Sequence, residues 1–292
     1  MKVLVIIVTY NGLKWVDRCF PSLKNSSVPV DCIVIDNNSS DDTIQEIQKK
    51  YPEVKVVETG DNLGFGRANN IGLQYAIDNN YDYAYLLNQD AWLKSETLQL
   101  LIEQHKKHKE YGVLSPLQMN STFDCLDKNF YLCCSKQMLN DGLIGNLQDL
   151  YETQFVMAAH WLLPIDTIKK VGGFSPSFPH YGEDHDYLNR VKFQGLKIGI
   201  VPKAWAVHDR QFRKDSKSKK MRMTYMGAIA RISNPQNDFN KQILVEPYKL
   251  IKASIKLQYL PGIKYIFQLL SNYKKFNRNK KLAFKSAFLN VK

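Results

Sequence analysis

Short apolar runs alternate with helix-length segments through the front of the chain. Residues 3–8 and 32–35 are apolar and rich in β-branched side chains, and 54–57 and 83–87 look similar. Turn-forming residues follow each run, which predicts buried strands. Helix-length segments at 13–25, 41–50 and 66–79 lie between them. Strand and helix repeated this way predict parallel strands joined by right-handed crossovers. Ser39, Ser40, Asp41 and Asp42 offer N-cap oxygens for the 41–50 helix. A helix at 94–109 and a strand near 112–115 extend the unit. From 118 to 150 the periodicity fades into an Asn-, Asp- and Cys-rich stretch, read as an irregular excursion over the site. Beyond it the pattern predicts a strand at 155–163, a helix at 165–171, a Gly-Gly turn, a helix at 183–194 and a strand at 197–201. Residues 213–222 are a charge run, expected to be a flexible solvated loop.

Size fits this picture. The 292 residues, 44% of them apolar, suffice for one large α/β domain plus a smaller appendage. No stretch approaches the roughly 18 uninterrupted apolar residues of a membrane span. The opening run is too short for a secretory signal and reads as a first strand. Cys19, Cys32, Cys125, Cys133 and Cys134 are odd in number and lack C-x-x-C spacing. That fits reduced thiols in a cytosolic protein better than a disulfide framework or a zinc site.

Charge divides the chain. The net charge is +12, yet residues 1–209 hold 20 Lys/Arg against 25 Asp/Glu. Residues 210–292 hold the other 20 basic residues and only Asp215, Asp238 and Glu246. A mildly acidic globular front is followed by a basic tail suited to an anionic partner.

Polar residues converge where three of the predicted strands end. Thr9-Tyr10-Asn11 follows the first strand, Asp36-Asn37-Asn38 the second and Asn88-Gln89-Asp90 the fourth. Ligands of open parallel sheets bind at that edge. Asp36 is placed to accept the N3–H of a uracil or thymine ring; the alternative is an Asx-turn leading into the next helix. Arg67 stands in the first turn of a helix, where a cation opposes the dipole. That mismatch suggests service to an anion such as a diphosphate. The surrounding Gly64-Phe65-Gly66-Arg67-Ala68-Asn69 is not a dinucleotide fingerprint, because Asn69 holds the third glycine position. Asp90 is placed to bind Mg²⁺ or Mn²⁺ together with phosphate oxygens. His208 is a candidate second ligand, and an imidazole favours Mn²⁺. Glu183, Asp184 and Asp186 open a helix. Ordinary capping explains them, but such crowding should also raise a carboxyl pKa and suit it to take a proton from a hydroxyl. Arg190, two turns on, is placed to orient that cluster.

These residues match a family. Val8-Thr9-Tyr10-Asn11, Val34 to Asp41, Asn62-Leu63-Gly64-Phe65 and Leu87-Asn88-Gln89-Asp90 occur in order. Gly172-Gly173-Phe174, Gly182-Glu183-Asp184-His185-Asp186 with Arg190, and Val201-Pro202 with His208 follow. Over about residues 1–210 the chain resembles family 2 glycosyltransferases of the GT-A fold. It is nearest in style to bacterial rhamnosyltransferase-like enzymes of surface polysaccharide. The resemblance implies a Rossmann-like, mostly parallel sheet flanked by helices, with 1–117 as the nucleotide-binding half and 118–210 as the acceptor and catalytic half. Residues 211–292 would be a basic helical extension. It also implies inverting transfer of a hexosyl or deoxyhexosyl unit from a UDP- or dTDP-sugar to a glycan or lipid-linked glycan. By matching position Asp184 is the base, with Glu183 and Arg190 beside it. Asp36 reads the base ring and Arg67 faces the phosphates. Thr9, Asn11, Asn38 and Asn88 lie along the nucleotide, and Asp90 and His208 hold the metal. Asn88 replaces the first carboxylate of the family's D-x-D, which bears on metal affinity.

The tail adds a partner. Lys249, Lys252 and Lys256 share one helical face, and Ile263, Ile266, Leu269, Leu270 and Tyr273 form an apolar stripe. Such a helix suits an anionic membrane surface, here through residues 246–292 on the inner face of the cytoplasmic membrane. The alternative is packing on the catalytic domain or on a second copy in a homodimer. No base-stacking or groove-reading motif accompanies the charge, so nucleic acid is not expected. A nucleotidyltransferase, or a non-catalytic transferase-fold subunit that binds glycans, remain the rival readings.

Overall fold

The computed structural model describes residues 1–210 and 216–290. It opens with β1 (Val3–Thr9), α1 (Val16–Lys24), β2 (Asp31–Asp36), α2 (Thr43–Lys50), β3 (Lys55–Glu58), α3 (Phe65–Asp78) and β4 (Tyr83–Asn88). Strand alternation builds two cores. Leu4 and Ile6 of β1, Ile33 and Ile35 of β2, and Ala84 and Leu86 of β4 face one side. Val3, Val5, Ile7, Val34, Tyr83 and Tyr85 face the other. Both faces are covered, so these strands read as continuous apolar runs.

Next come β5 (Ala91–Leu93), α4 (Thr97–Lys107), β6 (Tyr111–Met119), α5 (Lys136–Leu143) and β7 (Tyr151–Glu152). β8 (His160–Pro164), α6 (Ile165–Val171), α7 (Glu183–Phe193) and β9 (Lys197–His208) complete the sheet region. The strand order is β3-β2-β1-β4-β8-β6-β9-β5, with β7 on β9. The sheet is α/β, as expected, but more mixed than mostly parallel. β8 inserts antiparallel between β4 and β6, and β5 and β7 pair antiparallel with β9. The strand expected at 155–163 starts only at His160. β9 runs past 201 to His208 by a register jump opposite Pro116 and Leu117. The excursion after β6 is not wholly irregular, since it holds α5, capped by the Ser135 hydroxyl.

The expected flexible loop at 213–222 is corrected in part. Residues 211–215 lie outside the described residues, and from Lys217 the run is already α8 (Lys217–Ser233), capped by Ser216. α9 (Phe239–Lys256), α10 (Lys264–Ser271) and α11 (Tyr273–Leu282) follow. They enclose a third core of Met221, Tyr225, Ile229, Leu250, Leu269 and Phe276, which also takes in Phe178 from the loop before α7. The end of the chain returns to the sheet domain, where Gly173 N donates to Ala287 O at 2.8 Å. The expected apolar stripe therefore splits. Leu269 is in this core and Ile266 packs against it, while Ile263, Leu270 and Tyr273 are exposed.

Candidate active site

The carboxyl ends of β1, β2 and β4 are neighbours: Thr9 pairs with Asp36 and Val8 with Asn88. The loops leaving them are laced together. Thr9 Oγ1 donates to Asp36 Oδ1 at 3.0 Å, and Ser39 N and Oγ donate to Asp36 at 2.9 and 2.5 Å. The Asx-turn alternative for Asp36 is thus what the chain displays. Oδ1 takes two of these bonds and Oδ2 one, so Oδ2 keeps a spare acceptor site. Asn11 and Asn38 take left-handed backbone (φ 50° and 67°), which Asn tolerates best after Gly. Asn11 N donates to Ser39 Oγ, and Asn11 Oδ1 accepts from Ser40 N at 2.8 Å. Asn37 Oδ1 accepts from Leu63 N at 3.2 Å and ties in the loop that opens α3.

Gln89 serves the same architecture. Its amide takes Tyr10 N at 2.9 Å and gives to Tyr10 O at 3.2 Å, imitating a strand pair. Sequence reasoning quoted Gln89 only as the centre of a motif and gave it no role.

Pairing of β5 with β9 sets Ala91 opposite His208, which brings Asp90 to the histidine. Asp90 Oδ1 lies 3.6 Å from His208 Nε2, and Asn88 Nδ2 lies 3.4 Å from the same nitrogen. Asn88 Oδ1 is buried without a hydrogen-bond partner among the described residues. Arg210 Nε donates to His208 Nδ1 at 3.2 Å and pairs with buried Asp127 at 3.3 Å. A guanidinium only donates, so Nδ1 accepts and a neutral His208 carries its proton on Nε2, towards Asp90. Burial pushes the Asp90 carboxyl up. The His208 hydrogen bond, the charge His208 carries when protonated, a backbone hydrogen bond and, least, Arg210 together outweigh it and hold Asp90 below the usual range. Behind this pair, His160 accepts from Tyr85 OH at Nδ1 and donates from Nε2 to Val207 O, each at 2.9 Å. Burial drives His160 down to about 3, so it stays neutral and fixes the strand next to His208. Arg210, Asp127 and His160 were missed; Arg210 alone carried a sequence signal, two residues beyond His208.

α7 opens at the same rim. Tyr181 (φ 68°) and Gly182 (φ 87°) reverse the chain just before it. A side chain at Gly182 would meet Phe178 at 3.1 Å and Met226 at 3.3 Å, so both the turn and the space require glycine. The start of α7 abuts the start of α3: a Cβ at Gly66 would stand 3.6 Å from Glu183 Cβ. The positive ends of two helix dipoles therefore lie side by side. Arg67, in the first turn of α3, is exposed and has no ion-pair or hydrogen-bond partner among the described residues.

The four polar residues of this turn diverge. Glu183 is buried; burial first, then the Asp184 charge, pushes it up to about 8, and Oε2 finds no partner among the described residues. Asp184 is also raised, mainly by burial and against the charges of His185 and Arg210. The raised pKa values were expected, but burial rather than crowding is their leading cause. His185 stacks on Phe155 with ring centroids 3.9 Å apart. Asp186 turns inward to Arg190 at 3.0 Å.

Arg190 reaches the acidic cluster it was placed to orient, through Asp186. It is 1% exposed, and its fork also donates to Val171 O at 2.9 Å and Gly173 O at 2.7 Å. All its donor groups face α6, the Gly-Gly turn and Asp186. It positions α7 and does not reach the cleft. The Gly172-Gly173-Phe174 motif is likewise architectural: Phe174 sits in the core against Trp161 and Tyr187, and the Asn70 amide holds its backbone.

The structure thus gathers Thr9, Asp36, Asn88, Asp90 and His208 along one sheet rim, with Arg67, Glu183 and Asp184 on the two helix starts above it. Arg210 acts electrostatically on both Asp90 and Asp184.

A rim of this kind on such a sheet is the arrangement of the GT-A fold. Staphylococcus aureus TarS 1–349 in complex with UDP superposes with a TM-score of 0.57 at 15% identity, covering 97% of this chain and 90% of that one. GalNAc-T7 with UDP, GalNAc and Mn²⁺ gives 0.62 at 15% identity over 88% and 55%. The family model for glycosyl transferase family 2 matches residues 4–153, and the chain belongs to that family. N-acetylglucosaminyl-diphospho-decaprenol L-rhamnosyltransferase of Mycobacterium tuberculosis is 30% identical over 234 residues, 70% of this chain and 75% of that protein. The Haloferax volcanii low-salt glycan biosynthesis hexosyltransferase Agl10 is 21% identical over 210 residues, 70% and 66% of the two chains.

Proposed function

We propose that this chain is an inverting, metal-dependent glycosyltransferase of bacterial surface-polysaccharide synthesis. It would move a hexosyl or deoxyhexosyl unit from a UDP- or dTDP-sugar to a hydroxyl of a glycan or lipid-linked glycan. It would act in the cytoplasm, peripheral on the inner face of the membrane. The observation that carries the reading is the pairing of Asp90 with His208 at the sheet rim where the strands end at Thr9, Asp36 and Asn88. Family membership favours sugar transfer over nucleotidyl transfer, and UDP, UDP-GlcNAc and Mn²⁺ accompany structural neighbours.

The residues fit a divalent cation. Asp90 offers oxygen, and Asn88 Oδ1 is a buried acceptor without a partner among the described residues. His208 would offer Nε2 as the Nδ1–H tautomer, which requires Arg210 Nε to release Nδ1. No cluster of three or more His, Cys, Asp or Glu suited to a metal occurs among the described residues. The remaining coordination would therefore fall to diphosphate oxygens and water. An imidazole ligand favours Mn²⁺ over Mg²⁺. When bound, the ion neutralises charge on the departing diphosphate.

The chain's own residues would do the rest. Thr9, Asn11, Asp36 and Asn38 shape the nucleoside end of the cleft. Reading of the ring by Asp36 would use the one acceptor site left free, on Oδ2. Arg67 and the two helix N-termini hold the phosphates. Asp184 takes the acceptor proton as its oxygen attacks the anomeric carbon. The carbon–oxygen bond to phosphate breaks on the opposite face, and the electron pair leaves with the diphosphate. Glu183, neutral near pH 7, serves as a hydrogen-bond donor rather than a second base.

Incubation with a panel of UDP- and dTDP-sugars, with and without Mn²⁺, tests this. Slow Mn²⁺-dependent release of nucleoside diphosphate from one donor is expected. Release of pyrophosphate, or thermal stabilisation by donor without any turnover in the presence of acceptor glycans, contradicts it.

A further inference from the structure

We infer that the solvent side of α9 and α10 is a docking surface for an anionic lipid bilayer. The inference rests on the peripheral placement proposed above and is independent of the transfer chemistry.

Both helices are amphipathic twice over. Leu250 of α9 and Tyr265 and Leu269 of α10 enter the core they share with α8 and α11. On the opposite side of α9, Leu244, Tyr248, Ile251 and Ile255 repeat at spacings of four, three and four, which is a single helical stripe. Leu260, Ile263, Phe267 and Leu270 repeat the device at three, four and three. Leu244, Ile255, Leu260 and Phe267 are each 69% exposed or more, and none of them belongs to the helical core. Two adjacent apolar stripes of this size are rare on a surface that meets only water.

Charge selects the occupant. Lys252 and Lys256 flank the α9 stripe, and Lys264 flanks that of α10. Lys252 Nζ lies over the Tyr248 ring at 4.6 Å, its stem along apolar surface and its charge outward. From 239 to 290 the only carboxylate is Glu246. It is fully buried, held by Arg231 at 2.7 Å and Lys249 at 2.8 Å, so no exposed carboxylate interrupts the face. A second copy of this chain is a poor occupant. A two-fold interface sets a patch against itself, and here that brings lysines against lysines. An anionic headgroup layer above acyl chains accepts both the lysines and the stripes. No described helix is long and apolar enough to cross a membrane, so the pair lies on the surface.

Sedimentation of the full chain with vesicles reads this directly. Phosphatidylglycerol-containing vesicles should bind it about 10²-fold more tightly than pure phosphatidylcholine, since three lysines each contribute roughly five-fold. Ile255→Ser with Phe267→Ser should weaken binding more than about ten-fold. Both positions are exposed, so the melting temperature should hold. Lys252→Gln with Lys256→Gln should flatten the salt dependence. Absence of wild-type binding to anionic vesicles, or equal binding by the serine variant, overturns the inference. So does a wild-type dimer in light scattering that the serine variant breaks while vesicle binding stays unchanged. Release of nucleoside diphosphate in vesicle-free solution, measured on the same proteins, reports separately on the transferase reading.

Discussion

Replacing Arg190 by Met separates a positioning role from a catalytic one. The guanidinium is fully buried and satisfies Asp186, Val171 O and Gly173 O. Methionine roughly keeps the volume but leaves a carboxylate and two carbonyls unpaired in the interior. Breaking a buried pair from one side costs about 3–5 kcal/mol, against a total stability of about 5–15 kcal/mol. At about 2–4 °C per kcal/mol, the melting temperature should fall by roughly 10 °C. Adding Asp186→Asn removes the stranded charge and should recover part of the loss, because neighbours in one network are not additive. Arg190→Lys should not rescue, since a point charge cannot copy a fork that serves three acceptors. Thermal unfolding followed by circular dichroism, with donor KM measured well below the transition, makes the test. A variant that melts within about 2 °C of wild type yet loses turnover would place Arg190 at the reacting atoms and refute the argument.

Two further variants probe the rim. Glu183 is raised from about 4.5 to about 8, so its contribution to stability is fully present below pH 4.5 and is lost as pH rises towards 8. Glu183→Gln keeps a neutral donor at every pH. It should match wild type in melting at pH 4.5 and exceed it, by up to a few kcal/mol, at pH 8.5; parallel pH curves would show that Glu183 ionises normally. Arg67→Ala removes an exposed, unpaired cation and should leave the melting temperature unchanged while raising donor KM about 10–100-fold. An unaltered KM would mean that the phosphates bind elsewhere.

Much of the rim was legible because parallel strands announce themselves as buried β-branched runs and their ends carry the ligand groups. The predicted strands ending before Thr9, Asp36 and Asn88 stand within a residue or two of those observed. The direction of β8 was not legible. A short run such as His160–Pro164 looks the same parallel or antiparallel, and its partners are far off in sequence. The length of β9 was hidden by Pro202, which the register jump absorbs. The link of Arg190 to the acidic cluster was legible from helical spacing, but its burial against Val171 O and Gly173 O was not, because those partners lie on another element. The tail was legible as amphipathic. Which of its two apolar faces turns inward depends on packing against α8 and α11, and one helix's periodicity carries no record of that. Lys217 to Lys220 looked like loop because charge conceals the helix that begins there.

The central claim is that Asp90 and Asp184 serve one reaction in one cleft, and single-turnover transfer with Asp184→Asn and Asp90→Asn tests it most directly. The account predicts that Asp184→Asn binds donor and Mn²⁺ as wild type does but transfers about 10²–10⁴-fold more slowly. Asp90→Asn should weaken the joint binding of donor and Mn²⁺. Transfer by Asp184→Asn at the wild-type rate would contradict it.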